Sequence, residues 1–186
     1  LDLDLADRVL LDSQQDDLLI GLAQLNWQEQ SPQQLHSLLK ALESQALAEL
    51  PEAQWLPRRA RIDELLDSAD LPHAWHAISA LHSDSDLLLA RAAKTLAGGC
   101  PLTGHLVWEQ IKRAKHQSLA EVFQMEYAIS LNCCRHPEFP EGVRSRLIDK
   151  DHAPRWHWPD VASIPQQVID AHFAPAWDGE HPLADL

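Results

Sequence analysis

Apolar residues recur along this chain mostly at intervals of three and four, the spacing of one face of an α-helix. The first eleven residues differ. Over 3–11, LDLADRVLL reads as a short strand. Ser13 then predicts a capped helix over 14–25, with Asp16 and Asp17 in its first turn, where the helix dipole favours negative charge. Ser31-Pro32-Gln33-Gln34 is a second start signal, with a capping hydroxyl and proline at the first helical position. Leu35, Leu38, Leu39 and Leu42 follow as an apolar stripe.

Further helices are predicted over 58–68, with Ile62, Leu65 and Leu66 inward, and after Pro72, with Trp75, Ile78 and Leu81. Ser83 to Asp86 opens LLLARAAKTLA, and Gly98-Gly99 is expected to close it in the left-handed cap conformation. Pro101 opens a helix to Lys115. Ser118 and Glu121 form a capping box that opens an almost all-round apolar helix to Cys134. A short helix over 139–147 and one over 165–172 follow, the second within an extended Trp- and Pro-rich tail. This pattern predicts an all-α protein of roughly nine helices, with one short N-terminal strand. Few glycines and few β-branched residues, against abundant Leu, Ala and Gln, agree with it. The chain lacks an initiator Met, as expected of a processed or truncated protein.

Charge is uneven. Residues 1–90 hold 16 acidic and 5 basic side chains, and residues 91–186 hold 12 and 10. An acidic front half excludes general nucleic-acid binding, because phosphate contacts need a positive face. No apolar run approaches the length of a membrane span, so no membrane partner is expected. Three cysteines, two of them adjacent, give no disulfide framework. They point to a reducing compartment, here the cytoplasm.

Candidate chemistry is sparse. His73 and His76 share a helix face without a third ligand at motif spacing, so no metal site is expected. Cys133 and Cys134, followed by His136, end an apolar helix and read as buried small hydrophobes rather than a nucleophile. Arg58, Arg59 and Arg61 read as a solvated face paired with Asp63, Glu64 and Asp67. Lys112, Arg113 and Lys115 complement the dipole at a helix end. Glu126, within the apolar surface of the Ser118 helix, needs a partner. A catalytic acid is one reading; an ion pair with Arg144 is the favoured one.

The densest chemistry lies in Glu141 to Trp156, EGVRSRLIDKDHAPRW, a basic stretch in an acidic chain. Together with Cys100-Pro101, Ser118-Leu119-Ala120-Glu121, Met125-Glu126-Tyr127 and Leu147-Ile148-Asp149-Lys150-Asp151, it carries a resemblance. From Ala97 onward the chain resembles the C-terminal region of the 3-hydroxyisobutyryl-CoA hydrolase branch of the enoyl-CoA hydratase/isomerase (crotonase) superfamily. Leu5 to Leu10 resembles the segment that follows the catalytic core.

The resemblance implies an organisation of 1–11 as a remnant strand or linker from that core, 12–96 as a variable helical region, and 97–186 as the family C-terminal helices with an extended tail. It implies acyl-CoA thioester hydrolysis in valine catabolism by the parent enzyme. The oxyanion donors and acidic catalytic residues would lie upstream, so no catalytic residue is assigned here and the chain alone is expected to be inactive. It needs no cofactor, CoA thioester being the substrate. Its expected partners are the missing N-terminal core, acyl-CoA and further copies of itself. By position, Lys150 approaches the CoA phosphates, with Arg146 one helical turn earlier; pairing of Lys150 with Asp149, Asp151 or Glu141 is the competing reading. His105 and Arg146 depart from the family pattern, the first from a common Lys and the second from an aromatic of the hydratases. Two alternatives stay open: a hydratase or isomerase C-terminal portion, and a non-enzymatic helical interaction module.

Overall fold

The computed structural model describes residues 6–28 and 31–186, with the side chain of Ser31 excepted. Among the described residues there are nine α-helices and no strand. Of the predicted N-terminal strand, residues 3–5 lie outside the described residues, and 6–11 form no strand. The chain divides into two compact units, Leu1–Glu64 and Leu65–Leu186.

The first unit contains α1 (Gln15–Gln24), α2 (Ser31–Ala46) and the start of α3 (Arg59–Leu66). Its buried residues include Leu42 and Ala46. Ser13 does not cap α1. It lies in a 3-10 turn, Asp12–Gln14, and Gln14 takes over the boundary. The Gln14 side chain accepts the Leu11 N–H at 2.9 Å and donates to the Leu42 carbonyl at 3.0 Å. An amide can do both at once, whereas a serine hydroxyl is too short to reach α2. The capping role expected of Ser31 rests on a side chain outside the described set. Arg59 pairs with Asp63 at 3.6 Å, as the basic cluster predicts.

The second unit holds the remaining helices. These are α4 (Leu71–Ser79), α5 (Leu87–Ala97), α6 (Pro101–Ala114), α7 (Leu119–Arg135), α8 (Glu138–Val143) and α9 (Gln166–Phe173). Asp70 caps α4 and Asp86 caps α5, each through its carboxylate. The capping box of Ser118 and Glu121 forms at the start of α7 as its sequence predicts. Gly98 ends α5 at φ −92°, so the expected left-handed cap is not used. Cys100 and Pro101 start α6 two residues later, and a right-handed turn joins the two helices directly.

The core packs Leu102 and Leu106 of α6 against Ile129 of α7, Ile169 of α9 and Ile164 of the segment before α9. Each such side chain stabilises the fold by about 1.5–3 kcal/mol through the area it removes from water. Cys133 packs against this core, but Cys134 is exposed, which corrects the reading of both as buried. Leu66, expected inward, is also exposed.

The extended tail after α9 is held by the polar side chains of α7. Asn132 donates to the Ala174 carbonyl at 2.9 Å, Arg135 to that of Ala176 at 2.9 Å, and Gln124 to that of Leu183 at 2.9 Å. A segment outside regular structure must place its backbone polar groups somewhere, and α7 supplies the donors. Tyr127, Trp177 and His181 lock the tail by edge-to-face ring contacts.

Candidate functional site

The basic motif begins in α8 and continues without a break into a π-helical turn, Arg144–Ile148. Such a wide turn is uncommon and recurs at functional sites. Its centre is Arg144. The guanidinium grips Glu141 bidentately, at 2.9 and 2.7 Å, and also donates to Asp149 at 2.6 Å and Asp151 at 2.7 Å. A fifth bond reaches the Ala153 carbonyl at 3.2 Å. The planar fork of five N–H donors is what allows one side chain to do this.

This arrangement overturns the expected ion pair between Arg144 and Glu126. Glu126 instead accepts from the Gln110 amide of α6 at 2.8 Å. It also removes the competing reading of Lys150. All three carboxylates proposed as its partners are held by Arg144.

Turning Asp149 and Asp151 inward has a backbone consequence. Lys150 and His152 alternate with them and adopt left-handed φ of 55° and 53°. For residues other than glycine this costs roughly 1–2 kcal/mol each. The loop is fixed by Asp149 N–H on the Arg144 carbonyl at 2.8 Å and His152 N–H on the Ser145 carbonyl at 3.1 Å. Ser145 itself is fully buried. Lys150 is thereby exposed on a rigid loop.

The electrostatics follow from the same contacts. Arg144, and after it the Arg155 backbone N–H, holds the Glu141 carboxyl down at about 2. The Ala153 N–H and Arg144 hold Asp151 below the usual carboxylate range, and Arg144 is raised in turn by its three acidic partners. With its carboxylates committed to Arg144, the cluster leaves Arg146 and Lys150 as cations without an ion pair among the described residues.

Arg146 and Lys150 are not equivalent. Arg146 lines a cavity of about 400 Å³ walled by Leu102, Leu106, Phe139, Val143 and Trp156; Lys150 does not. A buried carboxylate closes this cavity. Glu138 of α8 accepts the His157 N–H at 3.1 Å and the Trp158 N–H at 3.4 Å, and so pins the chain after the motif. Trp156 donates to the Gly98 carbonyl at 3.3 Å and lies against Gly142. His136 and His172 meet edge to face at 5.0 Å on the cavity wall. Burial, and then His172, lowers the His136 pKa below its ordinary value. Sequence reasoning missed Glu138 and His172, and weighed His136 only as a partner for Cys133 or Cys134. The adjacency of Glu138 to the motif was the available signal; nothing in the sequence pairs His136 with His172.

A larger cavity of about 870 Å³ lies along α4 and α6, lined by Leu71, Trp75, Val107, Trp108 and Ile111, with Lys112 and Lys115. It is greater in volume but holds no histidine or carboxylate. The smaller cavity carries the chemistry. His105, the departure noted above, bonds through Nε2 to the Val161 carbonyl at 2.7 Å and so joins α6 to the tail. Among the described residues, no group of three or more His, Cys, Asp or Glu is placed to hold a metal ion. No described helix is long and apolar enough to cross a membrane.

Comparison with known proteins agrees with the motif. The family model described as enoyl-CoA hydratase/isomerase matches residues 1–173. A 3-hydroxyisobutyryl-CoA hydrolase, mitochondrial, from Danio rerio is 38% identical over 94 residues, which is 50% of this chain and 25% of that protein. The protein of the same name from Dictyostelium discoideum is 41% identical over 83 residues, 44% of this chain and 22% of its own length. The chain thus spans about a quarter of the curated relatives it matches. A crystal structure of an enoyl-CoA hydratase from Rhodobacter sphaeroides 2.4.1 superposes with a TM-score of 0.60 at 27% identity, covering 76% of this chain and 42% of that one. A carnitinyl-CoA dehydratase from Mycobacterium thermoresistibile, at 22% identity, shares the fold with a TM-score of 0.72 over 96% of this chain and 47% of its own. The chain belongs to the enoyl-CoA hydratase/isomerase family and is related to the 3-hydroxyisobutyryl-CoA hydrolases within it.

Proposed function

We propose that this chain is the helical C-terminal portion of an acyl-CoA thioester hydrolase of the 3-hydroxyisobutyryl-CoA type, acting in valine catabolism. In this reading it covers the acyl-CoA site of a catalytic core, supports assembly, and does not turn over substrate by itself. Residues 97–186 do the covering. Lys150 and Arg146 meet the CoA phosphates. Three free thiols suit a reducing compartment, here the cytoplasm.

The observation that carries the reading is the loop around Arg144. It consumes every nearby carboxylate and leaves Lys150 outward, on a backbone that would relax were the residue not held. A cation kept free at such a cost suits an anionic ligand. The test is a titration of CoA and dephospho-CoA onto the chain. Lys150→Ala and Arg146→Ala should each weaken CoA binding about threefold to tenfold, with a steep loss at high salt. Lys150→Ala leaves the left-handed backbone no worse than before. Unchanged affinity in both variants would remove the phosphate assignment.

A hydratase or isomerase parent is the second reading, favoured by the Rhodobacter sphaeroides hydratase structure. Thiol release from 3-hydroxyisobutyryl-CoA, against hydration of an enoyl-CoA, by the full-length protein expressed from its gene separates the two.

A further inference from the structure

The smaller cavity contains a buried polar atom that the phosphate reading does not use. His172, only 4% exposed, bonds through Nδ1 to the Val168 carbonyl at 2.8 Å. A carbonyl accepts, so Nδ1 carries the proton and Nε2 is the acceptor of the neutral ring. That Nε2 is buried and has no hydrogen-bond partner among the described residues. Leaving such a group unsatisfied costs about 1–3 kcal/mol, and folded proteins seldom tolerate it without a reason.

The surroundings restrict what can supply the missing donor. The walls are mostly apolar, with Arg146, Glu138 and Thr103 as further polar lining, and about 400 Å³ is the size of a small-molecule site. An ammonium could meet the Glu138 carboxylate, but it has no lone pair with which to accept from the second ring, His136. An anion finds its partner at the exposed Arg146, whereas at His172 it would face a lone pair with no proton to donate. Burial raises the Cys133 thiol, which therefore stays neutral on the same wall. His136 accepts the Glu138 N–H through Nδ1 at 3.4 Å, which leaves its Nε2 as a donor beside His172. A hydroxyl is the smallest neutral group of an organic ligand that donates to one ring and accepts from the other.

We infer that this cavity binds a small, mostly apolar alcohol or phenol, whose O–H donates to His172 Nε2. The site is apart from the phosphate contact proposed for Lys150 but adjoins that of Arg146, which lines the same cavity, and the His172 contact stands whether or not the phosphate contacts hold.

The probes are 2-naphthol and 2-methoxynaphthalene, similar in shape but differing in the donor. With histidine-labelled protein, 2-naphthol should move the His172 Nε2 nitrogen resonance on saturation. It should bind about tenfold tighter than the ether, as one buried hydrogen bond implies. His172→Phe should abolish that preference. Because His172→Phe also removes the Val168 bond, Val143→Phe serves as a second variant; it fills the cavity from α8 with His172 intact and should exclude both probes. Equal affinity for the two probes, an unmoved His172 resonance as expected if a bound water alone satisfies Nε2, or undiminished binding by Val143→Phe would overturn the inference.

Discussion

Arg144 shows how one side chain can set the conformation of a loop. Its guanidinium gathers Glu141, Asp149 and Asp151, and the backbone between them follows. The sequence made a charge cluster at 141–156 legible. It did not reveal which cation would take which carboxylate, because several of each lie within a few residues and differ little in separation along the chain. The Glu126 pairing failed for another reason: Gln110 of α6 meets it in space, and a neutral amide sufficed. The acid response of the fold follows from the same contacts. Glu141 is held at about 2 when folded, well below its ordinary value of 4.5. A carboxyl lowered in the folded state adds stability above its unfolded pKa and loses it as pH falls through the folded one. The melting temperature should therefore drop between about pH 4.5 and 2. Glu141→Gln should melt lower at neutral pH and show a shallower decline across that window. An identical pH profile in the variant would mean that this pair does not govern acid stability.

At the level of elements, periodicity and helix-start signals were mostly reliable where the signal was local, though the left-handed cap expected at Gly98-Gly99 does not form. The Ser118 capping box, Pro101 at the start of α6 and the helix at 166–173 needed only neighbours in sequence. Boundaries failed where a distant partner intervened, as when Gln14 reached across to α2 and displaced Ser13. The contact between α4 and α6 was also invisible. A Cβ at Gly104 would lie 2.7 Å from Cζ3 of Trp75 and 3.5 Å from a Leu71 methyl. Helix propensity alone would favour Ala over Gly there by about 1 kcal/mol, while overlap with a stiff indole costs about 1–3 kcal/mol. The clash should win, and Gly104→Ala should lower stability by roughly 1 kcal/mol in denaturant titration, with an altered Trp fluorescence spectrum. A variant more stable than the parent would mean that Trp75 swings into the larger cavity at little expense.

For the molecule as a whole, exposed apolar surface is the feature to explain. Val107 and Ile111 follow one another at helical spacing on α6, as do Leu119 and Phe123 on α7, and all four are 47–70% exposed. Where such residues join into a contiguous patch they mark a surface for a partner. Sedimentation of the isolated chain should show a dimer or larger species, weakened by Ile111→Lys and Phe123→Lys together. A monomer at tens of micromolar would count against the assembly role. The amino-acid sequence by itself determined the helical class, most element starts, the charge reversal at 141–156 and the family resemblance. These rest on interactions within a few residues or on order along the chain. Only the tertiary structure decided that Arg144 would absorb the acids and expose Lys150, that Arg146 would line a cavity, and that His172 would face it with an unused nitrogen. Those outcomes depend on which side chains meet after α6, α7, α8 and α9 pack. Packing selects among partners that local propensity and spacing leave equivalent.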